Sequence, residues 1–571
     1  MDLDLIIRNG TVVDGTGADR RRADIGVKDG RITEIGDLGD ARATRTVDAD
    51  GLVVAPGVID LHTHYDGQVH WDPHLTNTGT HGATTVAVGN CGFGFAPCKP
   101  EMRDRYMQMM ERTEQIPYEA LRQGMPWKWE TFPEWMEHLR SLPKALNMAS
   151  FLPINPLMIY VMGIEAAKSR PATEDERAEM RRLLHEAMDA GALGFAVTWL
   201  GEMNNHTDFD GSPMPSDIME IEEAYNLAQV LRERGGGIIQ ANTDIPMLRN
   251  RRDVCAELAH ISGATVIHNV IMVVPDSTVH LDVLAWLDEC TEEGLDIYTQ
   301  SIASRGWTEF TVLNYTSWDV LPVFKAFTDQ DPDGKAALAR SPEYRQRVVD
   351  EYDFGPQQHA GTRFHEFTMI DAAGAAEFTA HENKTVAEIA ADTGRSVTDT
   401  FYDILVASKL QAQFTHLTRF VYDEKLVGPV LQHPRVLAGG SDGGAHVKFV
   451  AGGQWPTDLI IWLARDSDQF TLEEIHAKIS ALPARVLGLP DRGTLVPGNA
   501  ADIMIYDLDE LGYQHGRYEV RHDLPGGDWR KFVDVRGLRY VLVNGEITFV
   551  DGVPQDPRPG ALVTTAVGAT T

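Results

Sequence analysis

The sequence has few cysteines, a deficit of basic residues and no long apolar run. Its 571 residues include 4 cysteines, too few for a disulfide framework in a chain of this size. With 84 acidic against 51 basic residues, the formal charge is -33, which disfavours nucleic-acid and anionic-membrane partners because both require a positive field. No apolar stretch reaches the roughly 18 residues that cross a bilayer, and the start MDLDLIIRNG is acidic where a secretory signal is basic. We therefore expect a cytoplasmic protein without nucleic-acid or membrane partners.

Apart from these deficits, the amino-acid composition is that of an ordinary globular protein. Apolar residues make up 43% of the chain and charged residues 24%, which excludes wholesale disorder and allows one large domain with a smaller one. We expect a small-molecule substrate, and the sequence is compatible with a homo-oligomer without specifying one.

Both ends of the chain have the pattern of small antiparallel β units. Short β-branched runs are separated by Asn9-Gly10 and Asp29-Gly30 near the start, and by Asn544-Gly545 near the end. Asn-Gly and Asp-Gly are favoured hairpin turns. These patterns predict one β-sandwich built from both ends, residues 1-56 plus 490-560, and the last residues, 561-571, are expected to form a flexible tail.

Between these ends, helical patterns alternate with short apolar strands. In TEDERAEMRRLLHEAMDAGALGFAVTW, Thr173 and Glu176 have capping-box spacing, and Gly191 ends the helix before a buried run. The same order recurs in three later stretches, which is typical of a (β/α)8 barrel. The predicted fold class is therefore α/β: a (β/α)8 TIM-like barrel over residues 57-489, with a small β-sandwich domain built from both chain ends.

Two long stretches do not fit barrel units and are predicted to be insertions, at about residues 99-145 and about residues 305-420. Insertions on the loops that follow barrel strands often shape substrate access, although plain decoration is an equal alternative. Within the second stretch, TDQDPDGKAALARSPEYRQ has the composition of a loop.

Two histidines stand one residue apart after a buried apolar run in APGVIDLHTHYDG. Side chains alternate faces along a β-strand, so His62 and His64 point the same way from the strand end. Two imidazoles aimed at one point suggest a metal. Two hydrogen-bonded structural histidines would give the same local pattern, so the pair alone leaves both roles open.

Further polar residues follow other apolar runs, at predicted strand ends. In a barrel of this kind the chemistry lies at the carboxyl ends of the strands. A single Cys or His in such a place is more often a satisfied core residue, but several on one rim favour a common site. The residues concerned are Cys91, Asn242, Asp244, His268 and Asp442.

Four segments carry a resemblance to known proteins: PGVIDLHTHYD, GATTVAVGNCGFGFAP, GGSDGGAH and LPARVLGLPDRGTLVPGNAADIMIYD. With these segments the sequence resembles the amidohydrolase superfamily, and within it the N-acyl-D-amino-acid deacylase (D-aminoacylase) family. GNCG is the more specific sign, because most of the superfamily lacks a cysteine there. The resemblance spans nearly the whole chain and is weakest across the two insertions.

The resemblance implies a divalent metal cofactor, with zinc as the expected ion. Neutral imidazoles and a thiolate suit zinc, whereas an oxygen-only cage would not. Asn242 stands where the family pattern has another histidine, so one metal is expected rather than two. The segment GALGFAVTW offers no lysine for a carbamylated bridge. The metal ligands implied by the resemblance are His62, His64, Cys91, His268 and Asp442.

The implied activity is that of a metal-dependent hydrolase cleaving a non-peptide C–N amide bond, with N-acyl-D-amino acids as the default substrates of the family. Water activated by the metal is the nucleophile, and Asp442 is the catalytic proton shuttle. A substrate carboxylate requires a polar or cationic partner, and the candidates by position are Asn242, Arg305, His446 and Lys448. The alternatives are a cyclic amide, ester or C–C bond hydrolase on the same metal barrel, or a catalytically altered relative that only binds its ligand.

Overall fold

Eight parallel strands form a closed barrel in the computed structural model, which describes residues 2–202, 204, 206–244, 250–273, 277–302, 304–352, 360–417 and 423–565. Each strand pairs with the next one along the chain. A parallel bridge between Thr63 and Gly443 closes the ring between the segments that follow the first and last strands. The predicted (β/α)8 fold is thereby confirmed. The strands are β1 (Val58–Asp60), β2 (Ala83–Val88), β3 (Asn147–Ser150, continued by Leu152–Pro153), β4 (Gly194–Thr198), β5 (Ile238–Asn242), β6 (Thr265–Ile271), β7 (Ile297–Ser301) and β8 (Val436–Ala438).

Helices connect the barrel strands, and the predicted capping box is confirmed at one of them. The hydroxyl of Thr173 accepts the Glu176 backbone N–H at 3.3 Å, and the Glu176 carboxylate accepts the Thr173 backbone N–H at 2.7 Å. Among the described residues, no helix has the length and apolar character that a membrane crossing requires. The helices are Tyr65–Gln68, Thr76–Gly79, Ile154–Met162, Ile164–Ala167, Glu174–Asp189, Pro215–Ile218, Glu222–Arg234, Arg252–Ser262, Val279–Glu292, Glu424–Gln432, Trp455–Leu459, Leu472–His476 and Leu482–Val486.

Strands from both ends of the chain form one nine-stranded sheet. The antiparallel pairing of Val53–Pro56 with Ile503–Tyr506 joins the two ends, and the sheet buries an apolar cluster that includes Leu5, Ile25 and Val47. The domain limits at residues 1-56 plus 490-560 stay a proposal. In order across the sheet the strands are Val553–Pro554, Glu546–Val550, Leu538–Val543, Ile503–Tyr506, Val53–Pro56, Asp2–Val12, Arg21–Lys28 and Arg31–Gly36, with Arg42–Asp48 also paired to Asp2–Val12.

Two of the three predicted hairpin turns in this sheet are confirmed. Asp29-Gly30 and Asn544-Gly545 each connect consecutive antiparallel strands, and all four residues have positive φ, as a tight primed turn requires. The third prediction is wrong. Asn9-Gly10 lies inside the strand Asp2–Val12, where Asn9 at φ 61° accompanies a shift of register, so the left-handed residue makes a bulge instead of a turn.

The two insertions have structures of their own. The first consists of helices, whereas the second combines a four-stranded sheet with helices around an aromatic core that contains Phe310, Trp318 and Phe401. The helices of the first are Arg103–Thr113, Tyr118–Gly124 and Phe132–Ser141. The second contains strands Trp307–Phe310, Thr368–Asp371, Lys384–Thr385 and Gln413–Leu417 and helices Pro322–Thr328, Pro332–Arg340, Pro342–Glu351, Val386–Thr393 and Val397–Ala407.

The stretch TDQDPDGKAALARSPEYRQ, expected to be a loop, is helical instead. Its two helices begin with a polar cap followed directly by proline. Asp331 accepts the Gly334 backbone N–H at 2.7 Å, and Ser341 accepts the Tyr344 backbone N–H at 3.1 Å. Asp-Pro and Ser-Pro are therefore helix starts here, because proline needs no hydrogen-bond acceptor in the first turn.

The expected flexible tail is ordered over residues 561–565. The Met148 backbone N–H donates to the Ala561 carbonyl at 2.9 Å, and the Val563 N–H donates to the Met148 carbonyl at 2.8 Å. These bonds satisfy the edge of Asn147–Ser150 that faces away from β2, since pairing with β4 begins only at Leu152. Residues 566–571 lie outside the described residues, and the flexible tail stays a prediction.

Asp502 connects the sheet of the chain ends to the barrel. Its carboxylate is 4% exposed, pairs with Arg492, and accepts hydrogen bonds from the Asn147 side chain at 3.0 Å and the Asn544 backbone at 2.7 Å. Asp502→Ala should lower the free energy of unfolding by about 3 kcal/mol, because it leaves the largely buried Arg492 with only Asp491, at 3.7 Å, as counter-charge. Urea denaturation followed by tryptophan fluorescence measures the change. The exposed Asp509→Ala is the control, with an expected change within about 0.5 kcal/mol, and equal midpoints for the two variants would contradict this role of Asp502.

Candidate metal centre and active site

A cavity of about 330 Å³ lies at the carboxyl ends of the barrel strands. This is the rim on which active sites of such barrels are built. The cavity is concave and largely apolar, with a group of polar side chains converging at one place, as small-molecule sites usually are. The polar lining residues include His62, His64, Cys91, Glu114, His206, Asn242, Asp244, Asn269, Gln300, Ser441, Asp442 and His446.

Two hydrogen bonds, one from the Thr63 side chain and one from the His64 backbone, fix the histidine pair. The Thr63 hydroxyl donates to the Ala87 carbonyl of β2 at 2.7 Å, and the His64 backbone N–H donates to the Gly443 carbonyl at 2.7 Å. Thr63 therefore faces β2 while both imidazoles face the cavity, with ring centroids 5.5 Å apart. The strand alternation predicted from the sequence accounts for this arrangement.

Gln300 of β7 orients the His62 ring. Its side-chain oxygen lies 3.0 Å from His62 Nδ1. The side-chain nitrogen of Asn269 lies 2.9 Å from the same Nδ1, so two amides hold the ring from this side and leave Nε2 directed at the cluster. That Nε2 lies 3.2 Å from Cys91 Sγ and 3.4 Å from Asp442 Oδ1.

Cys91 reaches the cavity through an unusual turn after β2. Gly89 precedes it at φ 79°, and a Cβ there would lie 2.4 Å from the Phe151 carbonyl oxygen, so only glycine fits. Cys91 itself has φ 55°, and its N–H donates to the Gln240 side chain at 2.7 Å. Burial, together with the nearby carboxylates of Glu114 and Asp442, raises the pKa of the thiol well above its usual value, so thiolate formation here calls for a cation.

Asp442 is held opposite the histidines by Asp60. The Asp60 carboxylate faces the backbone N–H groups of His62 and Ser441, both at 3.4 Å, and the Trp455 indole at 3.3 Å. It thus ties the end of β1 to the end of β8. Burial raises the pKa of the Asp60 carboxyl to about 6. Burial also opposes ionisation of Asp442, but the histidines around it, His62 foremost, leave its pKa below the usual range.

The donor atoms fit a divalent cation. Ligand atoms of His62, His64 and Cys91 all lie within 4.8 Å of one another, and all three side chains are buried. Asp442 Oδ1 adds a carboxylate 3.4 Å from His62 Nε2 and 3.8 Å from His64 Nε2. Two imidazoles, a thiolate and a carboxylate form a ligand set that suits zinc.

Two further residues predicted for the site, His268 and Asn242, are not part of the ligand cluster. His268 lies outside the cluster, with its Nε2 3.3 Å from Asp244 Oδ2 and its Nδ1 2.8 Å from the Thr299 hydroxyl. Asn242 lines the cavity. The structure therefore brings together four of the five predicted ligands, and His268 is engaged by Asp244 instead.

The candidates for a substrate cation need correction. Arg305 donates to Asp458 from its backbone at 2.6 Å and from its guanidinium at 2.9 and 2.7 Å. Lys448 pairs with Asp528, and neither residue is among those that line the cavity. Their charges are neutralised within the protein, so only His446 and Asn242 of the four candidates face the cavity.

Sequence reasoning missed three residues of the site. Gln300 sits one position before the end of β7, and its glutamine type gave no metal signal. Glu114 comes from the first insertion, and its Oε2 lies 3.6 Å from His64 Nε2. His206 follows β4, contacts Phe93 edge to face at 5.5 Å, and burial lowers its pKa to about 4. Only the position of His206 after a strand was readable from the sequence.

The barrel and its ligand cluster have the geometry of a metal-dependent hydrolase, and the similarities to known proteins place the chain among those that act on C–N bonds other than peptide bonds. Within this class the chain belongs to the amidohydrolase family, whose sequence model matches residues 45–244 and 295–549. A model of the N-terminal domain of the urease alpha-subunit matches residues 1–59.

Relatives of known activity are similar over almost the whole chain. N-acyl-D-glutamate deacylase of Alcaligenes xylosoxydans xylosoxydans is 28% identical, covering 98% of this chain and 96% of the relative. D-aminoacylase of the same organism is 28% identical, covering 90% of each. The crystal structure of N-acyl-D-glutamate deacylase from Bordetella bronchiseptica, complexed with zinc and a phosphonate that mimics the tetrahedral intermediate, has a TM-score of 0.64 at 25% identity, covering 98% of this chain and 99% of that one.

Replacing the thiol tests the ligand cluster. Cys91→Ser should lower the affinity for zinc by more than about 10-fold, because serine does not supply a thiolate at neutral pH. Competition with a chromophoric chelator gives the dissociation constant. Cys290→Ser, in a buried cysteine outside the cavity, is the matched control and should bind zinc like the unchanged protein. Equal affinities for both variants would remove Cys91 from the ligand set.

Proposed function

We propose that this enzyme hydrolyses the amide bond of small N-acylated compounds, with N-acyl-D-amino acids as the leading substrate class. One observation carries the proposal: His62, His64, Cys91 and Asp442 converge from the ends of three barrel strands onto one side of the cavity. The full-length similarity to two deacylases with D-specific names supports the same substrate class.

In the proposed reaction, a bound cation and the protein side chains have separate roles. A divalent cation held by His62, His64 and Cys91 supplies Lewis-acid polarisation of the scissile carbonyl and a lower pKa for water. Asp442, ionised beside the two histidines, accepts the proton of the attacking water and returns it to the leaving nitrogen. Gln300 and Asn269 contact Nδ1 of His62 and hold the ring with Nε2 toward the cluster.

The cavity walls suit an acyl group better than a charged one. Beyond the polar cluster, eight apolar side chains line the cavity, which favours binding of an aliphatic or aromatic acyl chain. Among the cavity residues that the structure describes, none is lysine or arginine, and His206 and His446 are the imidazoles outside the ligand cluster. This observation favours a second candidate substrate class, amides without a free carboxylate. The apolar residues are Leu200, Val270, Met272, Ile302, Trp307, Val320, Phe449 and Val450.

Asp442→Asn should fold and keep part of its zinc through His62, His64 and Cys91, but lose turnover by roughly 10²–10⁴-fold per bound zinc, because the amide cannot accept a proton. Steady-state kcat and zinc content per chain, measured on the same preparation, separate the two effects. Asp509→Asn, on the exposed surface, serves as control. A kcat close to that of the unchanged enzyme would show that another group moves the proton.

A substrate panel distinguishes the reactions. N-acyl-D-amino acids, their L-enantiomers, the corresponding amino-acid amides, cyclic amides and esters are compared before and after chelation. We expect metal-dependent hydrolysis of linear amides, lost with the chelator and restored by zinc. Hydrolysis of the amino-acid amides alone, in which the carboxylate is blocked, would identify amides without a free carboxylate as the substrate class. Turnover of esters or cyclic amides alone would exclude linear amide hydrolysis.

A further inference from the structure

Glu114 places a buried carboxylate beside the metal centre from outside the barrel. It directly follows the helix Arg103–Thr113 of the first insertion, and it is 1% exposed. Its Oε1 has no hydrogen-bond partner among the described residues. A carboxylate with a free oxygen, shielded from water and facing a cavity, is costly unless a cation or a proton compensates it.

The other carboxylate oxygen lies among imidazole nitrogens. Glu114 Oε2 is 3.6 Å from His64 Nε2 and 3.8 Å from His446 Nε2. Ligand atoms about 2.0–2.2 Å from one cation are separated by at most about 4.4 Å, so both distances are compatible with a shared ion. His64 Nε2 is also 3.8 Å from Asp442 Oδ1, so the Glu114 carboxylate lies next to the predicted ligands.

The backbone and the neighbouring helix hold Glu114 in this position. Its carbonyl accepts the His446 backbone N–H at 2.5 Å, which couples it to the loop that carries Asp442. On the same helix, Arg112 lies 3.2 Å from Asp319 and also pairs with Asp329, both in the second insertion. Glu114 is thus anchored to the barrel rim and to both insertions.

We propose that Glu114 is a ligand of the metal centre, contributed by the first insertion on the His64 side. This inference rests on the proposed function only in requiring that the centre holds a metal. It also accounts for the positions of Asn242 and His268: the side of the barrel where further ligands were expected carries a neutral amide and a histidine engaged by Asp244. Glu114 would add a ligand from the first insertion that these two residues do not supply.

Glu114→Gln tests the proposal, because it keeps the size and hydrogen-bonding capacity of the side chain but removes its charge. We expect zinc affinity, measured by chelator competition, to fall by about 10- to 100-fold. The visible spectrum of the cobalt(II)-substituted protein should shift, since it reports the ligand set without any turnover. Glu114→Asp, which keeps the carboxylate, should recover part of the affinity.

Glu111→Gln is the matched control, because it removes an exposed carboxylate from the same helix. Its zinc affinity and cobalt spectrum should equal those of the unchanged protein. Unchanged affinity and spectrum in Glu114→Gln, confirmed as folded by circular dichroism, would overturn the proposal and leave Glu114 as a buried carboxylate that only neighbours His64. The proposed function would survive that result. If the unchanged protein bound no zinc or cobalt, the proposed function and this inference would both fail.

Discussion

The active centre depends on one buried carboxylate that joins the first and last barrel strands. Asp60 faces the backbone N–H groups of His62 and Ser441, so the distance between the histidine pair and Asp442 follows from the closure of the barrel. A barrel closed by a one-residue change of register would separate these groups. Catalytic geometry and fold are therefore set by the same hydrogen bonds, which the surrounding apolar strands protect from water.

Much of the fold and part of the site follow from local sequence. His62, His64, Cys91 and Asp442 all stand directly after apolar strands, and strand alternation with parallel packing brings such positions to one rim. Glu114 was not predictable in this way, because its burial results from packing of an insertion against the barrel. Arg305 shows the converse error: its place near a strand end suggested a substrate cation, whereas Asp458, distant in sequence, neutralises it.

The errors in local structure have the same origin. Asn9-Gly10 and Asn544-Gly545 have identical turn chemistry, yet one is a bulge and the other a hairpin, because neighbouring strands decide the register. The polar, proline-containing composition of residues 328–346 predicts a loop, although Asp331 and Ser341 cap two helices there. Composition alone does not separate a loop from the first turn of a helix.

The chain end that lies along β3 has a consequence for folding during synthesis. The strand Asn147–Ser150 leaves the ribosome early, but the residues that cover its open edge, Ala561 and Val563, emerge only after all the barrel strands. One edge of the strand Val53–Pro56 likewise stays unpaired until Ile503–Tyr506 has been synthesised. Sheet edges of the nascent chain therefore stay unpaired through most of translation, the period in which exposed strands are most prone to association. In this architecture, the edge of β3 is completed only by a segment that follows the whole barrel in sequence.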